Sequence, residues 1–482
     1  MTKPGSPNVL LIVTDHWPGY LLGSAGHNVI KTPGLDELAS VGTRFTNCYS
    51  ECPVCIPARR TLMTGQTPRQ HGDRVFSTQM PMPDEITLAQ AFRDAGYQAD
   101  AVGKLHVYPQ RNRIGFDSVV LDEEGRRNLG GLDDYDIFLG DNGLAGRQFD
   151  HGMSTNQYSW APWHLDDQYH VTNWASRQMA RTIKRRDPTR PSFWYLGFRH
   201  PHPPLVPLQS YMDLYRDIEI DAPRKGNWVE YNKKKGLYPF DLMSGRTNLL
   251  TDQDIIEARR AFYALCTHID HQIRWLIGTL QQEGILDDTI IVFTSDHGDM
   301  LGNHGTVAKR LFYEESANVP LIIVGTDKAP KMNNKNVDNR LTGLRDIMPT
   351  LLDMSGVAVP KSVEGISLRS EKTRDYIYGE YGENSDASRM VRNNTHKLIY
   401  YPVGNCFQLF DLENDPHELN NVFEDLEHRY VRDSLMSLLR NSVYGSDHLW
   451  LKGDDFIGLP NQSYQWKGSR SFYLQRGEGW PT

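Results

Sequence analysis

Five short apolar runs limit what this chain can fold into more than any other feature of its sequence. Asn8–Thr14 reads NVLLIVT, and similar runs recur at 99–103, 193–198, 289–294 and 320–325. A strand with one wet face alternates polar and apolar residues, whereas a strand covered on both faces does not. These runs therefore predict a mostly parallel sheet with helices on both sides. Helical patterns lie between them, over 35–41 after Thr32-Pro33, over 87–95 before Gly96, and over 252–283 between Thr251 and Gly284. The expected fold class is α/β, a large mixed and mostly parallel sheet sandwiched by helices.

At 482 residues the chain exceeds the size at which a single core usually stops growing, so a second domain is expected. From about residue 371 the pattern changes to short alternating strands around 376–379, 396–401 and 406–410, then a helical stretch over 427–439. We divide the chain into a catalytic domain at 1–370, a smaller α+β C-terminal domain at 371–445, and an aromatic-rich tail at 446–482. The tail is expected to wrap the surface or to reach a neighbouring subunit in a homo-oligomer.

The net charge of −8, with no basic block longer than clusters such as Lys233-Lys234-Lys235, argues against nucleic acid as a partner. No apolar stretch reaches membrane-spanning length. The five cysteines, 48, 52, 55, 266 and 406, are few and odd in number, a reduced-compartment pattern. With no signal-peptide pattern before Val9, the expected location is the cytoplasm.

In open α/β sheets ligands sit beyond the carboxyl ends of the strands. Four of the five apolar runs end in polar clusters: Asp15-His16, Lys104 with His106, 199–202, and Asp296-His297. They should converge on one site, where the acids and imidazoles suit a divalent cation. Cys52-Pro53-Val54-Cys55 has the spacing of a zinc or redox pair, but no second pair completes a structural zinc site.

Read in the other direction, Cys55-Ile56-Pro57-Ala58-Arg59, followed by Thr61-Leu62-Met63-Thr64-Gly65, resembles the formylglycine-dependent sulfatases of the alkaline phosphatase superfamily. Further blocks fit that family in order: 8–15, Thr32-Pro33-Gly34-Leu35-Asp36 with Arg44-Phe45, Gly103-Lys104-Leu105-His106, Pro201-His202-Pro203, Ser295-Asp296-His297-Gly298, and Lys309 with Val319-Pro320. Phe410-Asp411-Leu412-Glu413-Asn414-Asp415-Pro416, with Glu418 and Asn421, is similar to the family's C-terminal signature. The resemblance spans residues 7 to about 425.

The resemblance implies an alkaline phosphatase-like fold and a nucleophile made from Cys55, which a formylglycine-generating enzyme oxidises to an aldehyde that then hydrates. In-line attack on sulfur expels the alcohol and gives a sulfated hemiacetal, and a base then takes the proton of the second hydroxyl, so that sulfate leaves and the aldehyde returns. By the same resemblance Asp15, Asp296, His297 and the Cys55-derived oxygen bind one divalent metal ion, Ca2+. Arg59 holds the nucleophile's alkoxide, and Lys104 and Lys309 bind sulfate oxygens. His106 is the base and His202 a donor near the leaving oxygen, help typically worth about 10²–10⁴ in rate. The substrate is then a small anionic ester, a sulfated carbohydrate or an aryl sulfate.

Two positions depart from the family pattern. His16 stands where many sulfatases carry Asp or Gln; as a further metal ligand it would soften the donor set and make Mn2+ an alternative to Ca2+. After His71-Gly72 the chain reads Asp73-Arg74-Val75-Phe76, so substrate contacts there do not transfer. The rival reading is a phosphonate monoester or phosphodiester hydrolase, for which Arg199 and Arg310 would supply extra positive charge. An inactive, ligand-binding relative would need a central residue lost, and the nucleophile precursor, Arg59 and both lysines are all present.

Overall fold

The computed structural model describes residues 5–124, 131–245 (backbone only at 244 and 245), 250–327, 332 and 336–463. Among these, nine strands build one sheet: β1 (Asn8–Thr14), β2 (Thr43–Tyr49), β3 (Gln98–Gly103), β4 (Ser118–Leu121), β5 (Ser192–Gly197), β6 (Thr289–Ser295), β7 (Asn318–Val324), β8 (Val337–Asp338) and β9 (Thr342–Gly343). The order is β4-β3-β5-β1-β6-β7-β2-β8, with β9 also on β2. β7 pairs antiparallel with both neighbours, while the other pairings are parallel. The mixed, mostly parallel sheet expected from the apolar runs is thus present.

β1 shows why its sequence is apolar throughout. Leu10 and Ile12 enter one core with residues of the helices Val171–Lys184 and Asp252–Gln282, while Val9, Leu11 and Val13 enter the core on the other face. That second core takes residues from the helices Cys55–Thr64, Leu88–Asp94 and Ile347–Met354. Each such side chain stabilises the fold by about 1.5–3 kcal/mol relative to exposure. The long helix starts where its sequence signals it. Thr251 Oγ1 accepts the Asp254 N–H at 3.1 Å and Asp254 Oδ2 accepts the Thr251 N–H at 2.8 Å, a capping box worth about 1 kcal/mol.

A second, antiparallel sheet follows: β10 (Ile377–Tyr381), β11 (Ser388–Arg392), β12 (His396–Tyr401) and β13 (Cys406–Asp411). Val391, Leu398 and Leu409 pack with Leu435 and Leu439 of the helix Arg429–Ser442. Ile377, Met390, Ile399 and Phe410 face the other way, onto Trp228, Phe312 and Tyr313 of the catalytic domain. β11 escaped the sequence reading because its Ser and Arg residues mask the alternation.

The described start of the tail, 446–463, packs onto this small domain. Trp450 and Phe456 join its core, and buried Asp447 accepts hydrogen bonds from Arg389 and from Arg74 of the catalytic domain at 2.8–3.1 Å. Tyr464, Trp466 and Tyr473 lie outside the described residues. No described helix is long and apolar enough to cross a membrane.

Candidate active site

Register explains why the strand-end residues meet. Thr14 of β1 stands level with Ser295 of β6, Val13 with Gly197 of β5, and Gly197 with Gly103 of β3. The ladder runs one step past the strands. The N–H groups of Asp296, Phe198 and Lys104 donate to the carbonyls of Thr14, Val13 and Gly197 at 3.1, 2.8 and 2.8 Å. Asp15, Asp296 and Lys104 therefore leave β1, β6 and β3 at the same carboxyl edge, with β5 between β1 and β3. Two glycines allow the strands to close this tightly. A Cβ on Gly103 (φ 91°) would lie 2.0 Å from the Gly197 carbonyl oxygen, and one on Gly197 would lie 2.3 Å from that of Lys104.

β7 produced no polar cluster after its run because it runs the other way. Its start, not its end, lies at the catalytic edge, so Lys309 and Arg310 reach the site from the segment that precedes it.

Cys55 is the first residue of the helix Cys55–Thr64 and is buried. Val54 ahead of it is extended and offers no side-chain cap, so the first-turn N–H groups of the helix favour an anion there. Cys55 Sγ lies 3.3 Å from His297 Nε2 and 3.7 Å from Asp15 Oδ1. Ligand atoms of Asp15, Cys55, Asp296 and His297 all fall within 4.8 Å of one another, and all four residues are buried.

The electrostatics register crowded negative charge. Burial and the neighbouring Asp15 push the Asp296 carboxyl up despite His297 and Arg59. Burial works against the His297 cation, but Asp296, Cys55 and Asp15 outweigh it and lift this imidazole to about 8. Two carboxylates, one imidazole nitrogen and the position of the Cys55 heteroatom make a donor set that fits a divalent cation. The ring orientation suits as well, because His297 Nδ1 donates to the Gly298 carbonyl at 2.9 Å, so Nε2 faces the quartet and is the nitrogen that would give up its proton to a bound cation.

Arg59 lies one turn beyond Cys55. Its Nε donates to Asp296 Oδ2 at 2.9 Å, and one terminal nitrogen donates to the Lys104 carbonyl and the Tyr195 hydroxyl, each at 2.9 Å. Lys104 is fully buried, held by Asp15 and by Glu124 at 2.5 Å. Burial alone would raise the Asp15 carboxyl; Lys104 reverses this and holds it well below the usual carboxylate range. His106 follows in a left-handed backbone conformation (φ 61°), with its ring edge-on to Phe76 at 5.6 Å. Glu123 Oε1 fixes this turn by accepting the N–H groups of Leu105 at 2.9 Å and His106 at 2.7 Å.

Lys309 sits between two imidazoles, with Nζ 2.5 Å from His16 Nε2 and 3.2 Å from His202 Nε2. Both rings present a lone pair, because His16 Nδ1 donates to Asp299 Oδ2 at 2.5 Å and His202 Nδ1 to the Pro203 carbonyl at 2.5 Å. Burial and then Lys309 pull His16 down to about 3 and His202 well below its ordinary value, so both are neutral. His16 stands outside the quartet, with Nε2 3.6 Å from Asp15 Oδ1. It also belongs to a second buried group, with Asp15 and His202, whose ligand atoms lie within 4.8 Å of one another.

Of the extra arginines, Arg199 is half-buried and paired with Asp122 at 3.4 Å. Arg310 is half-buried between the rings of Phe76 and Tyr381, 5.7 and 5.8 Å from their centroids.

Sequence reading missed Glu123 and Glu124, Asp299, Tyr158 and Tyr195. The two glutamates follow β4, a short strand-end cluster that the same edge rule would have exposed. Asp299 lies two residues past His297 and was within reach of that rule. Tyr158, whose hydroxyl also donates to Asp299, lies in an irregular segment that carries no signal.

Comparison with known proteins agrees with this geometry. The Sulfatase family model matches residues 7–357, and the N-sulphoglucosamine sulphohydrolase C-terminal model matches 302–443. The chain is 34% identical to an arylsulfatase of Clostridium perfringens, over 94% of this chain and 98% of that one. It is 30% identical to a choline-sulfatase of Rhizobium meliloti, over 87% and 83%. Its fold is similar to that of a phosphonate monoester hydrolase of Agrobacterium radiobacter (TM-score 0.78, 24% identity, 90% and 94% coverage). Matched over most of its length by the family model, and by relatives that span it nearly end to end, the chain belongs to the sulfatase family, metal-dependent hydrolases of sulfuric esters.

Proposed function

We propose that this sulfatase cleaves a small sulfated carbohydrate or aryl sulfate with a formylglycine hydrate made from Cys55 beside a single Ca2+. The observation that carries this reading is the convergence on Cys55 Sγ, at the opening of a helix, of His297 Nε2 at 3.3 Å and Asp15 Oδ1 at 3.7 Å. Asp15, Asp296, His297 and the Cys55-derived oxygen would hold the cation, which when bound supplies Lewis-acid polarisation and a lowered hydroxyl pKa. Mn2+ is the second choice, on the strength of the His297 nitrogen. Maturation requires a formylglycine-generating enzyme.

The protein's own side chains do the rest. Arg59 locks Asp296 in place and brings a guanidinium to the first turn of the nucleophile helix. Lys104 and Lys309 supply positive charge for the sulfate oxygens in an otherwise acidic protein. His202 Nε2, which accepts from Lys309 Nζ at 3.2 Å, would pass a proton from that ammonium to the leaving oxygen; His106 is the base that takes a proton from the hydrated nucleophile. We assign His16 to positioning Lys309 rather than to the metal, because its two nitrogens are committed to Asp299 and Lys309.

The phosphonate reading rests on likeness of fold, and Arg199 adds no free charge to it because Asp122 neutralises it. Matched aryl sulfate, phosphonate monoester and phosphodiester substrates distinguish the two. The sulfate is expected to show the highest kcat/KM, and a phosphonate preferred by tenfold or more, a difference of about 1.4 kcal/mol in transition-state stabilisation, would reverse the assignment.

A further inference from the structure

His396, Asp411 and His428 come together on the C-terminal domain, outside the catalytic quartet. Register places the first two: His396 on β12 and Asp411 on β13 are direct cross-strand partners, so their side chains share a face. His428 stands immediately ahead of the helix Arg429–Ser442. His396 Nε2 is 3.1 Å from His428 Nδ1 and 4.0 Å from Asp411 Oδ2, and the three ligand atoms lie within 4.8 Å of one another. Tetrahedral zinc, with bonds of about 2.0–2.1 Å, spaces its ligands by about 3.3 Å, a value these separations bracket.

We propose that these three residues form a second metal site, for a borderline transition-metal ion such as Zn2+, clasping the β12–β13 hairpin to the helix that covers it. The surrounding contacts favour ligation. His396 Nδ1 lies 2.9 Å from the Thr395 hydroxyl, an acceptor that keeps the proton on Nδ1 and the lone pair on Nε2. Asp411 is oriented by the N–H groups of Glu413 and Asn414 on one oxygen and by the Asn414 amide on the other. All three residues are half-buried, which leaves a path for the ion and room for water in the fourth position. Two imidazoles and one carboxylate select a softer ion than the oxygen-rich catalytic quartet does.

The buried trio His304, Glu315 and Glu418 has similar spacing but fails on chemistry. His304 Nδ1 already accepts the Gly226 N–H at 3.1 Å, which leaves its proton on the Nε2 that would have to bind metal.

The test titrates Co2+, as a spectroscopic probe, into the full chain held in saturating Ca2+. Wild type and the variants His428→Ala and His428→Cys are compared. Wild type should develop the intense visible absorption of tetrahedral cobalt at one equivalent. His428→Ala should lose that band and bind Co2+ at least tenfold more weakly, with hydrolysis of an aryl sulfate unchanged. His428→Cys, which keeps a ligand, should retain the band and add a thiolate charge-transfer absorption. The same cobalt spectrum and stoichiometry in His428→Ala as in wild type, or no tetrahedral band in folded wild type, would overturn the proposal.

Discussion

Replacing Lys309 with Met keeps the side-chain stem and removes the ammonium, and the structure sets the size of the effect. Lys309 Nζ lies 2.5 Å from His16 Nε2 and 3.2 Å from His202 Nε2, so its position is fixed before any substrate arrives. A preorganised donor aimed at charge that develops in the transition state is worth about 2.7–4 kcal/mol, or about 10²–10³ in kcat. The substitution also takes the donor away from two buried imidazole lone pairs, at about 1–3 kcal/mol each in stability. Steady-state kinetics with an aryl sulfate, paired with a thermal unfolding curve, should show both losses. Lys309→Arg keeps the charge but not the fit between the two rings, and should fall between wild type and Lys309→Met. A folded Lys309→Met whose kcat/KM drops by less than about tenfold would refute the role given to this lysine.

Three further outcomes are expected. Burial pushes the Glu315 carboxyl up to about 7 against the pull of a backbone N–H, Lys397 and Arg224. The folded state thus holds this proton more tightly than the unfolded state, and the stability it contributes, present below the ordinary value of 4.5, is lost as pH rises through about 7. Melting temperatures between about pH 5 and pH 8 should fall less steeply for Glu315→Gln than for wild type, a difference of at most about 3 kcal/mol; parallel curves would count against it. Asp447→Ala leaves the buried Arg389 guanidinium without its carboxylate, while Arg74 keeps Glu380 and Glu383, and should cost about 3–5 kcal/mol in a denaturant titration, whereas a loss under about 1 kcal/mol would show that the contact is replaced by water. Exhaustive chelation should abolish aryl sulfate hydrolysis and Ca2+ should restore it; activity that survives chelation removes the quartet from the reaction.

The residues that could be read from sequence were those whose position follows from the end of an apolar strand. Asp15, Lys104 and Asp296 each follow such a run, and parallel register carries them to one level. What remained hidden depends on backbone states and strand directions that composition does not encode. β7 reads like its neighbours but runs antiparallel, so Lys309 comes to the site from ahead of it. His16, His106, Glu124 and Arg310 adopt left-handed conformations (φ 77°, 61°, 60° and 79°), which non-glycine residues reach at a cost of about 1–3 kcal/mol and only where surrounding contacts enforce them. In His16 that turn commits the ring to Asp299 and Lys309, a result no spacing rule delivers. Glu124 was missed because SVVL, the sequence of β4, is too short to stand out as a strand.

The identity of the nucleophile is decided by mass spectrometry of the peptide containing Cys55. Protein made in cells that carry the formylglycine-generating enzyme should yield a peptide in which the CH2SH group of Cys55 has become CHO. The peptide should react with an aldehyde-specific hydrazide, and its abundance should track specific activity from one preparation to the next. A fully active preparation whose Cys55 is entirely an unmodified thiol would exclude an aldehyde hydrate as the nucleophile.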